Sequence, residues 1–175
     1  MDKCKEKIGT TTARAERHVV LVGPEVHWNT GNIGRTCLGA GAHLHLIKPL
    51  GFSLGSREVK RAGLDYWHRV RLSVWEDFAA FLTALKPHPG EMALFTKNAA
   101  APFWQMPSPH RLFLLFGSET KGLPEALLTR FRNHTYNIPI SSDIRCLNLS
   151  TAVGIALYES LRRTNPANAW TEQIP

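Results

Sequence analysis

Three short segments carry the residue types from which a ligand site is built. The first, Asn29-Thr30-Gly31-Asn32-Ile33-Gly34-Arg35, joins neutral hydrogen-bonding side chains and two glycines to a guanidinium. The second is Phe116-Gly117-Ser118-Glu119-Thr120-Lys121-Gly122-Leu123-Pro124, and the third runs from Ile138-Pro139-Ile140 to Arg145-Cys146-Leu147-Asn148-Leu149-Ser150. The later two follow apolar runs and precede helical patterns. In an open α/β sheet, loops past the strand ends present backbone amides and carbonyls to ligands. Glycine and proline in such loops leave room for a planar ligand against a rigid backbone. Taken alone, the first segment is a helix start, with Asn29 or Thr30 as cap and the glycines permitting the turn. No GxGxxG motif is present, so a dinucleotide site of the usual kind is not supported. Gly39-Ala40-Gly41 follows a helix and reads as its C-terminal cap.

The elements that must position these segments alternate between strand and helix. Val19–Val22 is a short β-branched run ended by Gly23-Pro24, and His43–Lys48 is a second strand stopped by Pro49. Between them the pattern predicts a loop leading into a helix over Asn29–Ala40, closed by Gly41. Ser56–Ala62 is expected as a short helix, Arg69–Leu72 as a strand, and Trp75–Leu85 as a helix burying Trp75, Phe78, Ala79 and Leu82. Lys86–Gly90 is a turn. Met92–Thr96 and Leu112–Phe116 are continuous apolar strands, the kind buried on both faces of a parallel sheet. Pro124–Arg130 reads as helix, His134–Ile138 as strand and Leu149–Arg162 as a long last helix. The fold class is therefore α/β, a mainly parallel sheet flanked by helices.

At 175 residues with 43% apolar content, one domain with a substantial core is the default. The expected organisation is a flexible polar arm over 1–17, one domain over 18–165 and a tail over 166–175. The arm lacks the apolar stretch of a secretory signal, and its acidic residues argue against a transit peptide. The net charge of +7 favours an anionic partner, nucleic acid being the commonest. No apolar run approaches the roughly 20 residues of a membrane span. The three cysteines are scattered, without CxxC or His/Cys metal spacing, so no metal is expected and a reducing cytosol is the simplest location.

Together, in this order and spacing, the three segments resemble the knotted RNA 2′-O-methyltransferases of the SPOUT superfamily. Within it, the chain is most similar to the small single-domain tRNA (cytidine/uridine-34 2′-O)-methyltransferases. Arg61-Ala62-Gly63-Leu64-Asp65-Tyr66, Thr96-Lys97 and Ala156-Leu157-Tyr158-Glu159 add to the likeness, which runs from about His18 to Arg163. The resemblance implies a deep C-terminal trefoil knot, which composition and periodicity do not foretell. It also implies S-adenosylmethionine as cofactor, held by Leu94, Thr96, Gly117, Ile138, Cys146 and Leu147. Apolar Leu94, Ile138 and Leu147 can sandwich adenine while backbone groups read its edge; as plain core residues beside tight turns they are accounted for about as well. The family commonly has serine where this chain has Cys146, so a hydroxyl role there is discounted.

The implied catalytic residues are Arg35, Glu119 and Asn148. Arginine stays protonated, so Arg35 is expected to orient a substrate phosphate and stabilise the developing alkoxide. Glu119 is expected to hold backbone amides or position Arg35. Asn29, Arg61, Lys121, Arg145 and Tyr158 are the expected substrate contacts. Arg57, Lys60 and Arg61 form one basic cluster, and Arg69 with Arg71 another. The resemblance further implies a homodimer acting on tRNA. Leu149, Val153, Leu157 and Leu161 on the last helix serve equally for that interface or for packing on the sheet. An rRNA or another tRNA position as target, and a non-catalytic RNA-binding module, are the competing readings.

Overall fold

The computed structural model describes residues 15–54 and 66–164. Seven strands, β1 (Glu16–Val22), β2 (His43–Ile47), β3 (Leu72–Trp75), β4 (Met92–Phe95), β5 (Ala101–Pro102), β6 (Arg111–Phe116) and β7 (Thr135–Asn137), form one sheet. Their order is β3-β2-β1-β6-β4-β7-β5, and every pairing is parallel. Among the described residues four helices flank it: α1 (His27–Ala40), α2 (Phe78–Leu85), α3 (Glu125–Arg130) and α4 (Leu149–Arg162).

Because strand side chains alternate, the continuous apolar strands feed two cores. Val19, Leu21, Leu44, Leu46, Leu112 and Leu114 meet Ile33 and Cys37 of α1 and Val153, Ala156 and Leu157 of α4. On the other face Val20, Ile47, Met92, Leu94, Phe113 and Leu115 meet Phe81 of α2 and, past the end of α3, Phe131. The apolar face of α4 is thus spent inside its own chain: Val153 and Leu157 are fully buried against the sheet and α1. No helix among the described residues is long and apolar enough to cross a membrane.

Several expectations shift. β1 starts at Glu16, inside the expected arm, because Arg17 is buried. Its guanidinium donates to the carbonyls of Glu16, Pro109, His110 and Ser160 and to the hydroxyls of Ser160 and Thr164. The third strand lies three residues later than expected. Trp67–Arg69 forms a 3-10 turn instead, so Arg69 and Arg71 do not share a strand face. Trp75 closes β3, and α2 begins at Phe78, where the Asp77 carboxylate caps by accepting from the Ala80 amide at 2.7 Å. Phe81 is the buried residue of α2, and Ala79 is exposed. β5, two residues long, carried no sequence signal. The expected helix at 56–62, with Arg57, Lys60 and Arg61, lies outside the described residues.

Candidate active site

In an all-parallel sheet the strands' C-terminal ends share one edge. There β1 is followed by a connection toward β2, while its neighbour β6 is followed by one toward β7, in the opposite direction. Neighbouring connections that part in this way open a crevice, the usual ligand site of such sheets. The 23–26 and 117–124 loops border it.

These loops are cross-braced. The Glu119 carboxylate accepts from the backbone amides of Glu25 at 2.8 Å and Val26 at 3.3 Å, and from Asn29 Nδ2 at 2.9 Å. In return Glu25 accepts from the Thr120 amide at 3.2 Å and its hydroxyl at 2.8 Å. Asn29 passes the connection on, its Oδ1 accepting from Asn148 Nδ2 at 2.9 Å. Asn148 in turn caps α4 through Oδ1, which accepts from the Ser150 amide at 2.9 Å and hydroxyl at 2.7 Å. One hydrogen-bonded chain therefore joins all three segments singled out in the sequence.

This geometry settles how α1 begins. The helix starts at His27, so Asn29 and Thr30 lie within it and do not cap it; Val26, at the cap position, has no side chain suited to the task. Glu119, from another loop, stands in as acceptor for the amides before the helix, with a negative charge where the helix dipole favours one. Asn29 is buried with both ends of its amide engaged, so in this structure its neutral hydrogen bonds fix the loops to one another. Glu119 holds backbone amides and does not contact Arg35.

Arg35 stands apart from this chain. It is exposed on α1, its guanidinium 4.5 Å from the Tyr66 ring centre, and it makes no hydrogen bond or ion pair among the described residues. Tyr66 is fixed by its hydroxyl, which donates to the Gly31 carbonyl at 3.3 Å. A cation over an aromatic face is held without losing its charge.

The expected cofactor positions gather on the other flank of the crevice, where β6, β4 and β7 are neighbours. Leu94 pairs with Leu115 and Thr135, and the Thr96 amide donates to the Tyr136 carbonyl at 3.0 Å. Leu94 is fully buried, its side chain packed in the core on the α2 face of the sheet. Gly117 has no room for a side chain, whatever lies over it. A Cβ there would overlap the Gly122 carbonyl group and the Leu123 amide, because the loop closes on itself through the Ser118–Gly122 bridge. Gly122 has φ of 70°, the left-handed region glycine favours. Ile138 and Leu147 are half-buried, and all of 139–146, Cys146 included, is exposed. Lys121, Arg145 and Tyr158 are exposed, while Arg61 lies outside the described residues. Glu25 and Thr120 were missed: a lone Glu after Gly-Pro has no signature, and its partner lies 95 residues away.

Residues 16–158 match the SpoU rRNA Methylase family. The chain belongs to this family. Among SpoU relatives, the tRNA (cytidine(34)-2′-O)-methyltransferase of Burkholderia cenocepacia is 44% identical over 147 residues, covering 83% of this chain and 94% of that protein. A solved structure concerned with 2-OH methylation of C/U34 on tRNA is 45% identical, with a TM-score of 0.79 over 85% of this chain and 96% of that one. An AdoMet-bound rRNA methyltransferase from Sinorhizobium meliloti shares the fold, with a TM-score of 0.77 at 24% identity, over 87% of this chain and 58% of its own. The SpoU-family assignment bears out the resemblance drawn from the three segments and the parallel α/β architecture.

Proposed function

We propose that the protein transfers the methyl group of S-adenosylmethionine to the ribose 2′-hydroxyl of nucleotide 34, cytidine or uridine, in tRNA. The observation that carries this reading is the single hydrogen-bonded chain Glu119–Asn29–Asn148, which unites three segments far apart in sequence. The near full-length match to relatives named for position 34 directs the choice of substrate.

The residues beside the crevice fit the cofactor. The ends of β6, β4 and β7 adjoin, and Ile140 and Ile144 expose 37% and 49% of their surface on the segment that follows, uncovered apolar surface suited to an adenosine. Backbone at Thr96, Gly117, Cys146 and Leu147, with the Ile138 side chain, would hold it, above a floor that includes buried Leu94. When bound, the cofactor supplies an electrophilic methyl group. Glu119 has its oxygens committed to three donors, so it braces the loops and leaves proton removal to another group. Arg35, permanently charged, grips a substrate phosphate and stabilises the 2′-oxygen as its proton passes to solvent. Most of the rate gain then comes from alignment. A homodimer completes the site, bringing the exposed Arg35 of one chain, held over Tyr66, toward the late loops of its partner. Lys121, Arg145 and Tyr158 remain exposed for tRNA.

The test is methyl transfer to purified tRNA, with ribose methylation mapped by nucleotide. Methylation at 34 is expected, with Arg35→Ala losing about 100-fold or more in kcat/KM while cofactor affinity stays. The family's name raises rRNA as a second reading. Methyl acceptance by rRNA fragments, with tRNA position 34 untouched, would overturn the assignment.

A further inference from the structure

Three imidazoles meet on the α2 side of the sheet, remote from the crevice. Alternation along β2 puts His43 and His45 on one face, and register places His18 of β1 directly opposite His43. One ligand nitrogen from each ring lies within 4.8 Å of the others. We propose that His18, His43 and His45 bind one divalent cation of the zinc, nickel or copper class.

Imidazole nitrogens select these borderline ions over magnesium or calcium. Around such an ion, nitrogens at about 2.0 Å from the metal stand about 3.4 Å apart. His18 Nδ1 and His45 Nε2 already face each other at 2.9 Å; the His43 ring stacks on His45 with centroids 4.3 Å apart and planes 11° apart, so it must swing edge-on to bring its nitrogen to an ion held between the other two. One ring has the outer partner that orients a metal-bound histidine, and a second has a carboxylate nearby but beyond hydrogen-bond reach. His43 Nε2 is 3.0 Å from the Ser73 hydroxyl, and His18 Nε2 is 4.0 Å from the Glu16 carboxylate. Arg71 and Arg111 lie nearby and oppose a cation, although Glu91 pairs with Arg111 at 2.6 Å.

The third ring carries the cost. Trp75 Nε1 donates to His45 Nδ1 at 3.1 Å, so without metal the His45 proton sits on Nε2, between it and His18. An ion takes that place, and the proton moves to Nδ1 of the same ring with no net release. There it opposes the indole N–H, and Trp75 must turn away. Binding is thereby coupled to the surroundings of one tryptophan, and the ion would staple β1 to β2.

The experiment titrates tag-free full-length chain with Co2+, Ni2+ and Zn2+, following heat, Co2+ visible absorption and tryptophan fluorescence. Expected are one ion per chain, cobalt bands of a low-coordinate nitrogen site and a change in indole emission. His43→Gln should weaken binding by more than about 100-fold and Glu16→Gln by about 10-fold, with metal-free circular dichroism unchanged. Trp75→Phe removes the competing donor and should tighten binding. Absence of stoichiometric binding, or affinity that His43→Gln leaves intact, overturns the proposal. Should His43→Gln fail to fold, Trp75→Phe decides: tighter binding supports the site, unchanged or weaker binding overturns it.

Discussion

Replacing Asn29 with alanine breaks the bracing chain at its middle. The variant loses one hydrogen bond to the Glu119 carboxylate and one from Asn148, both 2.9 Å long. A bond to a charged group contributes about 1.5–3 kcal/mol and a neutral one about 0.5–1.5 kcal/mol. The helix itself gains a few tenths from alanine, which offsets little. The net loss is about 2–4 kcal/mol, and in a chain of this size each kcal/mol lowers Tm by about 2–4 °C. Thermal unfolding should therefore move down by roughly 5–15 °C. Because the loops lose their mutual register, methyl transfer should fall further than the loss of folded protein explains. A double-mutant cycle with Asn148→Ala should show coupling of about 0.5–3 kcal/mol. A Tm within about 1 °C of wild type, with additive single variants and unaltered kcat/KM, would refute the claim that this chain positions the site.

Gly117→Ala should open the 117–122 turn, since the added methyl overlaps backbone that cannot yield; a loss above about 2 kcal/mol in denaturant unfolding is expected, and a wild-type midpoint would count against it. Exposed Cys146 should be alkylated readily and be shielded by S-adenosylhomocysteine, whereas Cys37, whose thiol burial pushes up to about 12, should stay unmodified. Peptide mass mapping reads both, and unshielded Cys146 would move the ligand elsewhere. Burial first, then neighbouring charge, lowers His18 to about 4 and His45 to about 3. The unfolded chain protonates both near pH 6.5, taking up protons the native state refuses, so metal-free stability is complete above that value. Between it and pH 4 it should fall by about 1.4 kcal/mol per pH unit for each ring, and equal denaturant midpoints at pH 7 and 5 would contradict this.

The parallel sheet was legible because strands buried on both faces leave unbroken apolar runs, as in Leu112–Phe116, and α4 falls at its expected bounds because Asn148 caps it locally. Local chemistry misplaced the start of α1. Glu25-Val26-His27 carries no cap signature, and the group that satisfies those amides, Glu119, is more than 90 residues away. Trp75 misled in the same way: its apolar bulk suits a helix face, yet pairing with Ile47 makes it the end of a strand. The three segments of the site were visible by residue type, but their joining through Asn29 depends on tertiary geometry. So does the histidine group, since His18 meets His43 only through strand register.

The buried guanidinium of Arg17 clasps the opening strand to the closing helix, touching Ser160 and Thr164. Unzipping that helix from its far end would strand a desolvated positive charge with half its acceptors gone, an expense no partial opening recovers. Excursions of the terminal segment should then be concerted with release of the first strand. Amide exchange at both places, though 143 residues apart, should report one shared protection energy.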